Sequence, residues 1–325
     1  MIRREIGRSG ITASAMSMGT WAIGGDEMWG ASDEGESINA IRCAVENGID
    51  IIDTAPAYGF GRSERIVGKA LKRIRSDVKV ITKCGLRFDG VGSLMRERDG
   101  KTVSIDLSAK AIISGLEQSL KNLKTDYVDI LITHWQSRLP CYTPISETMN
   151  TMLELKRAGK IRGIGISNVT LDQIKEYMKH GQVDIVQMRY SMLTRDVESQ
   201  ILPFCEENGI TLQAYSPLEQ GLLTGNYPVE YVLPSTDVRN NTHWYQRELR
   251  IKVMAILDKW KIYCDKYDCN ISSLVISWLI AQSDNINVLC GARKSRHILD
   301  NLKGGKLRLD NKIAKQMRRD ILTLD

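Results

Sequence analysis

Eight short runs rich in Ile, Val and other strand formers recur along this sequence, and helical patterns separate them. They are Ser17–Trp21, Ile49–Thr54, Val78–Lys83, Tyr127–His134, Ile161–Ser167, Asp184–Tyr190, Ile210–Ser216 and Ile286–Ala292. Near-continuous apolar strands alternating with helices pair in parallel and are covered on both faces. Eight such units in 325 residues fit a closed (β/α)8 barrel better than an open doubly wound sheet. The expectation is one barrel domain over residues 1–325. A small hairpin should precede it, in "REIGRSGITASA", turning at Arg8-Ser9-Gly10.

Three helices illustrate the pattern. The first puts Ile66, Val67, Ala70, Leu71 and Ile74 on one face, with Ser63 as its cap. A second aligns Ile112, Ile113, Leu116, Leu120 and Leu123, and a third ends on Gly159, where a C-cap belongs. Two strand-to-helix connections are unusually long, 85–108 and 218–243, and read as loops. Long loops after barrel strands are where such folds build their sites.

Charge and cysteine usage narrow the class of function. A net charge of +6 without a long basic run describes a mixed, solvated surface, which argues against nucleic acid. Apolar runs such as "VISWLIA" are far too short for a membrane span, and "MIRREIGRSG" is too polar for a secretory signal. Seven cysteines without a Cys-x-x-Cys pair suggest reduced thiols, hence a cytoplasmic protein.

The stretch Ile51–Leu71, "IIDTAPAYGFGRSERIVGKAL", nearly spells a dinucleotide fingerprint at Gly59-Phe60-Gly61. The third glycine is missing, with Glu64 in its place, and the turn follows the second strand rather than the first. The residues that matter in it are then Asp53 and Tyr58. Asp53, Lys83 and His134 end the second, third and fourth strands, and Tyr58 lies five residues beyond Asp53. A barrel brings all four to one mouth. Together they suit carbonyl reduction. A free phenol, with a pKa of about 10, is a weak donor at neutral pH. The Lys83 ammonium should lower that value, Asp53 should hold Lys83 charged, and His134 should orient the substrate oxygen. No metal is expected, because the four histidines lie far apart.

These motifs resemble the aldo-keto reductase family through nearly the whole chain. "DTAPAYGFGRSERIVGKAL" looks like its Asp-x-Ala-x-x-Tyr-Gly signature, "VITKCG" its lysine strand and "DILITHW" its histidine strand. "GKIRGIGISN", "VQMRYS", "LQAYSPLEQGLLTG" and "GARKSRHILDNL" follow in family order. The opening "MGTWAIGGDEMWG" is similar to bacterial inositol-catabolism and general-stress reductases, and akin to channel β-subunits.

The resemblance implies an NADP(H)-dependent barrel enzyme, NAD being the lesser expectation, acting on a small polar carbonyl, sugar or polyol. A slow, redox-sensing binding subunit is the alternative. Tyr58 would be the acid, tuned by Lys83 and Asp53, with His134 orienting the carbonyl and Trp21 and Trp135 at the substrate. Thr20, Trp21, Asp53, Ser167, Asn168 and Gln187 would meet the cofactor around the nicotinamide, and Tyr215 would stack on its ring. Ser216, Pro217, Leu218, Gly221, Leu223 and Gly225 would wrap the pyrophosphate. Gly291, Arg293, His297, Asp300 and Asn301 would hold the adenosine end, with the cationic run Arg293–His297 facing a 2′-phosphate. Cys290 stands where many relatives have proline, and His297 where they have Gln or Arg.

Overall fold

The computed structural model describes residues 1–25, 29–227, 230–233 and 237–324, apart from the side chains of Val238 and Asn241. Eight parallel strands close into a barrel: β3 (Met16–Gly19), β4 (Ile51–Asp53), β5 (Lys79–Cys84), β9 (Val128–Thr133), β10 (Ile161–Ser167), β11 (Ile185–Arg189), β12 (Thr211–Tyr215) and β13 (Ile286–Gly291). All six residues of β9 are buried, as expected of a parallel strand with side chains filling the barrel on one face and meeting helices on the other. The covering helices are α1 (Glu34–Glu46), α2 (Arg62–Leu71), α3 (Ala109–Leu123), α4 (Ile145–Arg157), α5 (Leu171–His180), α6 (Ile201–Asn208), α7 (Arg247–Lys259), α8 (Lys261–Tyr267), α9 (Ile271–Ile280), α10 (Ser295–Lys306) and α11 (Asn311–Leu322). Among the described residues no helix is long and apolar enough to cross a membrane.

The hairpin forms where the sequence places it, β1 (Arg3–Ile6) against β2 (Ile11–Ser14). Its Ile6, Ile11 and Ala13 share a buried cluster with Ile51 and Ile185, the first residues of their strands. The hairpin therefore plugs the N-terminal end of the barrel, opposite the mouth where the ionisable groups lie. Gly7 is needed there: a Cβ on it would come within 2.3 Å of the Asp184 carbonyl oxygen.

Three expectations change. Residues 85–108 are a sheet rather than a loop, with β6 (Leu86–Arg87) and β7 (Ser93–Arg98) flanking β8 (Lys101–Ile105). Asp99-Gly100 turns β7 into β8 with both φ angles positive, +47° and +68°, the geometry that favours this dipeptide in tight hairpins. Ser63 does not cap α2; Gly61 takes that position, and the Ser63 hydroxyl bonds Thr54 and Thr20 inside the structure. Ile113 is exposed, so the buried face of α3 is Ile112, Leu116, Leu120 and Leu123. The 218–243 segment contains short 3-10 turns, Glu219–Thr224 and Val238–Asn241.

Candidate active site

The C-terminal strand ends open into one cleft of about 950 Å³. Beneath its floor, Lys83 of β5 donates to Asp53 Oδ1 of β4 at 2.6 Å and to the Thr54 carbonyl at 3.0 Å. Both side chains are fully buried. A charge pair withdrawn from water needs its remaining valences satisfied. Gln187 meets that need by donating to Asp53 Oδ2 at 2.8 Å and to Gln213 at 2.6 Å. Gln213 in turn donates to Asn287 at 2.9 Å and contacts Ser17, so a polar chain runs through the barrel interior. Burial works against the Lys83 ammonium, but Asp53 and then Tyr58 outweigh it, and its pKa lies above the usual value.

Tyr58 lies on the turn between β4 and α2, its ring 5.0 Å from Lys83 Nζ. The Gly-x-Gly that imitated a phosphate loop holds this turn. Gly59, Phe60 and Gly61 all have positive φ, and a Cβ on Gly59 would sit 2.2 Å from the Gly24 carbonyl oxygen. Arg62 fastens the facing segment by donating to the carbonyls of Ile23 and Ser32 at 2.7 Å each. The Tyr58 ring stacks with Trp21 at 6.2 Å and meets His134 edge-on at 5.9 Å.

Burial raises the Tyr58 pKa above 10, and the opposing pull of Lys83 does not cancel it. The expectation of a lowered value is thus corrected: the pocket is dry enough for desolvation to win. His134 is driven well below 6.5, first by burial and then by Lys83, Arg96 and Arg98. At neutral pH the site holds a neutral phenol and a neutral imidazole above a charged pair. Such an arrangement can donate a proton to a carbonyl oxygen and keep the resulting phenolate beside an ammonium.

Beyond Tyr58 the cleft runs past Ser167, Asn168, Gln187 and Tyr215 to Gly291, Arg293, His297, Asp300 and Asn301. Asn168, at φ +55°, accepts from the Tyr215 hydroxyl at 2.8 Å and donates to the His134 carbonyl at 2.9 Å. Tyr215 is thereby fixed as one wall. The Ser167 hydroxyl is already donated to the Gln187 carbonyl at 2.9 Å. Since the Gln187 amide nitrogen serves Asp53 and Gln213, its oxygen is the atom left for a ligand. Ser216, Pro217, Leu218 and Gly221 line the cleft, and the positive φ of Ser216, Glu219, Gln220 and Gly221 folds this segment into tight turns beside it.

Three assignments do not hold as wall residues. Thr20 is buried and donates to the Asp53 carbonyl at 2.8 Å, while Leu223 packs in the core. Gly225 ends the 219–224 turn in a left-handed conformation and faces Ile271. The basic run is also weaker than its sequence. Arg293 lines the cleft and donates to the Trp29 carbonyl at 2.8 Å, whereas Lys294 pairs with Glu36 at 3.3 Å. Burial, followed by Arg296, lowers the His297 pKa, so that imidazole adds no charge at neutral pH.

A model of the aldo/keto reductase family matches residues 15–319. The chain belongs to that family. It is 44% identical over 320 residues, 98% of each chain, to an NADH-specific methylglyoxal reductase of Escherichia coli. A probable potassium channel β-subunit of Arabidopsis thaliana is 30% identical over 92% of this chain and 90% of its own. Among solved structures, a glycerol dehydrogenase of Gluconobacter oxydans superposes with a TM-score of 0.88 at 30% identity, covering 99% of this chain and 95% of its own. Aldo/keto reductases are oxidoreductases that work with nicotinamide cofactors, and the chain is one of them. The reading of the sequence missed Asn270 and Ser272, which line the cleft near Asp300, and Gln213, Asn287 and Ser17 behind Asp53. The first pair had a signal, since Asn270 is the N-cap of α9. The interior set had none, because single polar residues in separate strands show no pattern.

Proposed function

We propose that this protein reduces a small polar carbonyl compound, or oxidises the matching alcohol or polyol. The observation that carries the reading is the buried Lys83–Asp53 pair under Tyr58, with His134 edge-on to the phenol, at one end of a long cleft. The cleft suits a dinucleotide: the fixed Tyr215 ring, the Gln187 oxygen, the positive-φ turn and Arg293 follow one another along it. When bound there, the nicotinamide supplies the hydride. Tyr58 gives its proton to the carbonyl oxygen. His134, neutral, fixes that oxygen by a hydrogen bond, Lys83 stabilises the phenolate left behind, and Asp53 holds Lys83. The indole N–H groups of Trp21 and Trp29 are buried without hydrogen-bond partners among the described residues and serve hydroxyls or a second carbonyl on the substrate. Trp135 flanks the mouth.

NADPH is the donor proposed, because Arg293 is the cation lining the adenosine end. NADH is the second reading. It is supported by the name of the Escherichia coli relative and by the Asp300 carboxylate on the same wall, which would repel a 2′-phosphate. Methylglyoxal and glycerol, named in the relatives, set the size of the substrates to try. The test is oxidation of NADPH and NADH against short dicarbonyls, polyol ketones and steroid ketones. The small polar set should exceed the steroids in kcat/KM by at least about tenfold, since an apolar ring system would strand the polar groups. A steroid preference, or no oxidation of either cofactor by any carbonyl, would overturn the proposal.

A further inference from the structure

Two of the seven cysteines meet at the end of a helix that the chemistry does not use. α8 closes in a Schellman motif, with Asp268 in the left-handed position at φ +46° and ψ +55°. The Cys269 amide donates to the Cys264 carbonyl at 3.0 Å, and the Asp268 amide to the Asp265 carbonyl at 3.5 Å. These two bonds set the outermost residues of the motif side by side, where helices commonly place an apolar contact. Here both are cysteines, free and partly exposed. Burial, and then Cys269, pushes the Cys264 thiol up to about 11. Burial raises Cys269 too, opposed by a hydrogen bond from Cys264 and by the Lys303 ammonium. Cys264 thus keeps its proton, and Cys269 is the sulfur placed to act as the nucleophile.

The pair stands one residue from the cleft. Asn270 caps α9 by accepting from the Ser273 amide at 2.9 Å and from the Ser272 hydroxyl at 2.7 Å. Asn270 and Ser272 line the cleft, as do Asp300 and Asn301 of α10. The Ser273 hydroxyl lies 2.9 Å from the Asp300 carbonyl, and Lys303 donates to the Asp268 carbonyl at 3.3 Å. The junction therefore ties the thiol pair to the wall formed by α9 and α10. α8 itself has seven residues, none of them fully buried, so it can shift without opening the core.

We infer that Cys264 and Cys269 are a modification site, closing into a reversible disulfide that loosens the Asp300 end of the cleft. Its effect on binding rests on the reading of that cleft as a dinucleotide site. The oxidant is a small disulfide such as oxidised glutathione. The Cys269 thiolate attacks one of its sulfurs and expels a glutathione thiolate. Cys264 then attacks the Cys269 sulfur of the mixed disulfide and expels the second, and the two protein protons pass through water to the leaving thiolates. Two protein thiols are oxidised as one glutathione disulfide is reduced. Bonding draws the sulfurs inside their contact distance, so Cys269 must move, and Asn270 with it. Thiols held protonated exchange slowly, so the pair follows a sustained change in thiol–disulfide balance.

The test incubates the whole protein in glutathione buffers of rising oxidised fraction. Disulfides are mapped by mass spectrometry of acid-quenched peptides, and NADPH and NADH affinities are read by fluorescence quenching. A Cys264–Cys269 bridge should form, and both affinities should fall about fivefold or more, as for one hydrogen bond lost at the wall. Dithiothreitol should restore them. Cys264→Ser should stop at a mixed disulfide on Cys269, and the double variant Cys264→Ser, Cys269→Ser should bind both nucleotides alike in every buffer. Absence of the bridge at full oxidation, or a bridge that leaves both affinities unchanged, overturns the inference while leaving the reductase reading intact. A fall in affinity that persists in the double variant overturns it too, since other thiols would then be the cause. No binding of either nucleotide to the reduced protein would sink the parent reading, and the control of binding with it, whether or not the bridge forms.

Discussion

Tyr58 and Lys83 show how burial and charge divide the chemistry. A proton donor works while it is protonated. Because burial lifts the Tyr58 pKa above 10, reduction should stay level through neutral pH and fall only on the alkaline side. Lys83→Met removes the charge that opposes this rise, so the alkaline limb should move further up while kcat drops, by about 100-fold or more. The pH dependence of kcat in the two proteins checks this; a limb shifted downward would show that Lys83 does not act on Tyr58. His134, pushed well below 6.5, should add no inflection between pH 6 and pH 8. Arg293 gives a separate test. A charge-assisted phosphate contact contributes about 1.5–3 kcal/mol, one to two decades of affinity. Arg293→Ala should weaken NADPH by that amount and NADH little, measured by quenching of intrinsic fluorescence; equal losses would place it outside the phosphate contact.

At the scale of elements, the turn from β4 into α2 does more than its sequence suggests. Gly59 lies against the Gly24 backbone and Phe60 packs on Phe88 at 4.9 Å, so the turn joins the segment after β3 to the added sheet. Gly59→Ala would force a Cβ into the Gly24 carbonyl at positive φ. It should cost about 1–3 kcal/mol, seen as a few degrees in Tm, and lower kcat more than cofactor affinity. An unchanged kcat would mean that the turn does not position Tyr58. The eight barrel strands were legible because each is a buried apolar run with its own period, and the four ionisable residues because they stand at strand ends. The added sheet was less legible, since β7 is mostly polar and half exposed, although Asp99-Gly100 carried the turn signal. Thr20, Leu223 and Gly225 could not be sorted from their neighbours, because a motif gives order along the chain and not which side chain faces the opening. The sign of the Tyr58 shift lay out of reach too, as it depends on how much water the assembled walls exclude.

For the molecule as a whole, stability and chemistry sit at opposite ends of the barrel. Ile6 and Ile11 plug the N-terminal end, and the ionisable groups occupy the C-terminal mouth. Ile11→Ala should destabilise by about 2–5 kcal/mol while leaving kcat/KM within twofold at temperatures where the protein remains folded. Thermal unfolding beside steady-state rates checks it, and a large loss of kcat/KM with unchanged Tm would place the hairpin in the catalytic unit. The central claim is that Tyr58 delivers the proton at the end of a nicotinamide cleft. Its most direct measurement is a single turnover with the reduced cofactor already bound, comparing the native protein with Tyr58→Phe on a small dicarbonyl. The account predicts that both bind the cofactor with similar affinity and that Tyr58→Phe oxidises it at least about 100-fold more slowly. Near-native single-turnover rates in Tyr58→Phe would contradict it and assign the proton to another group.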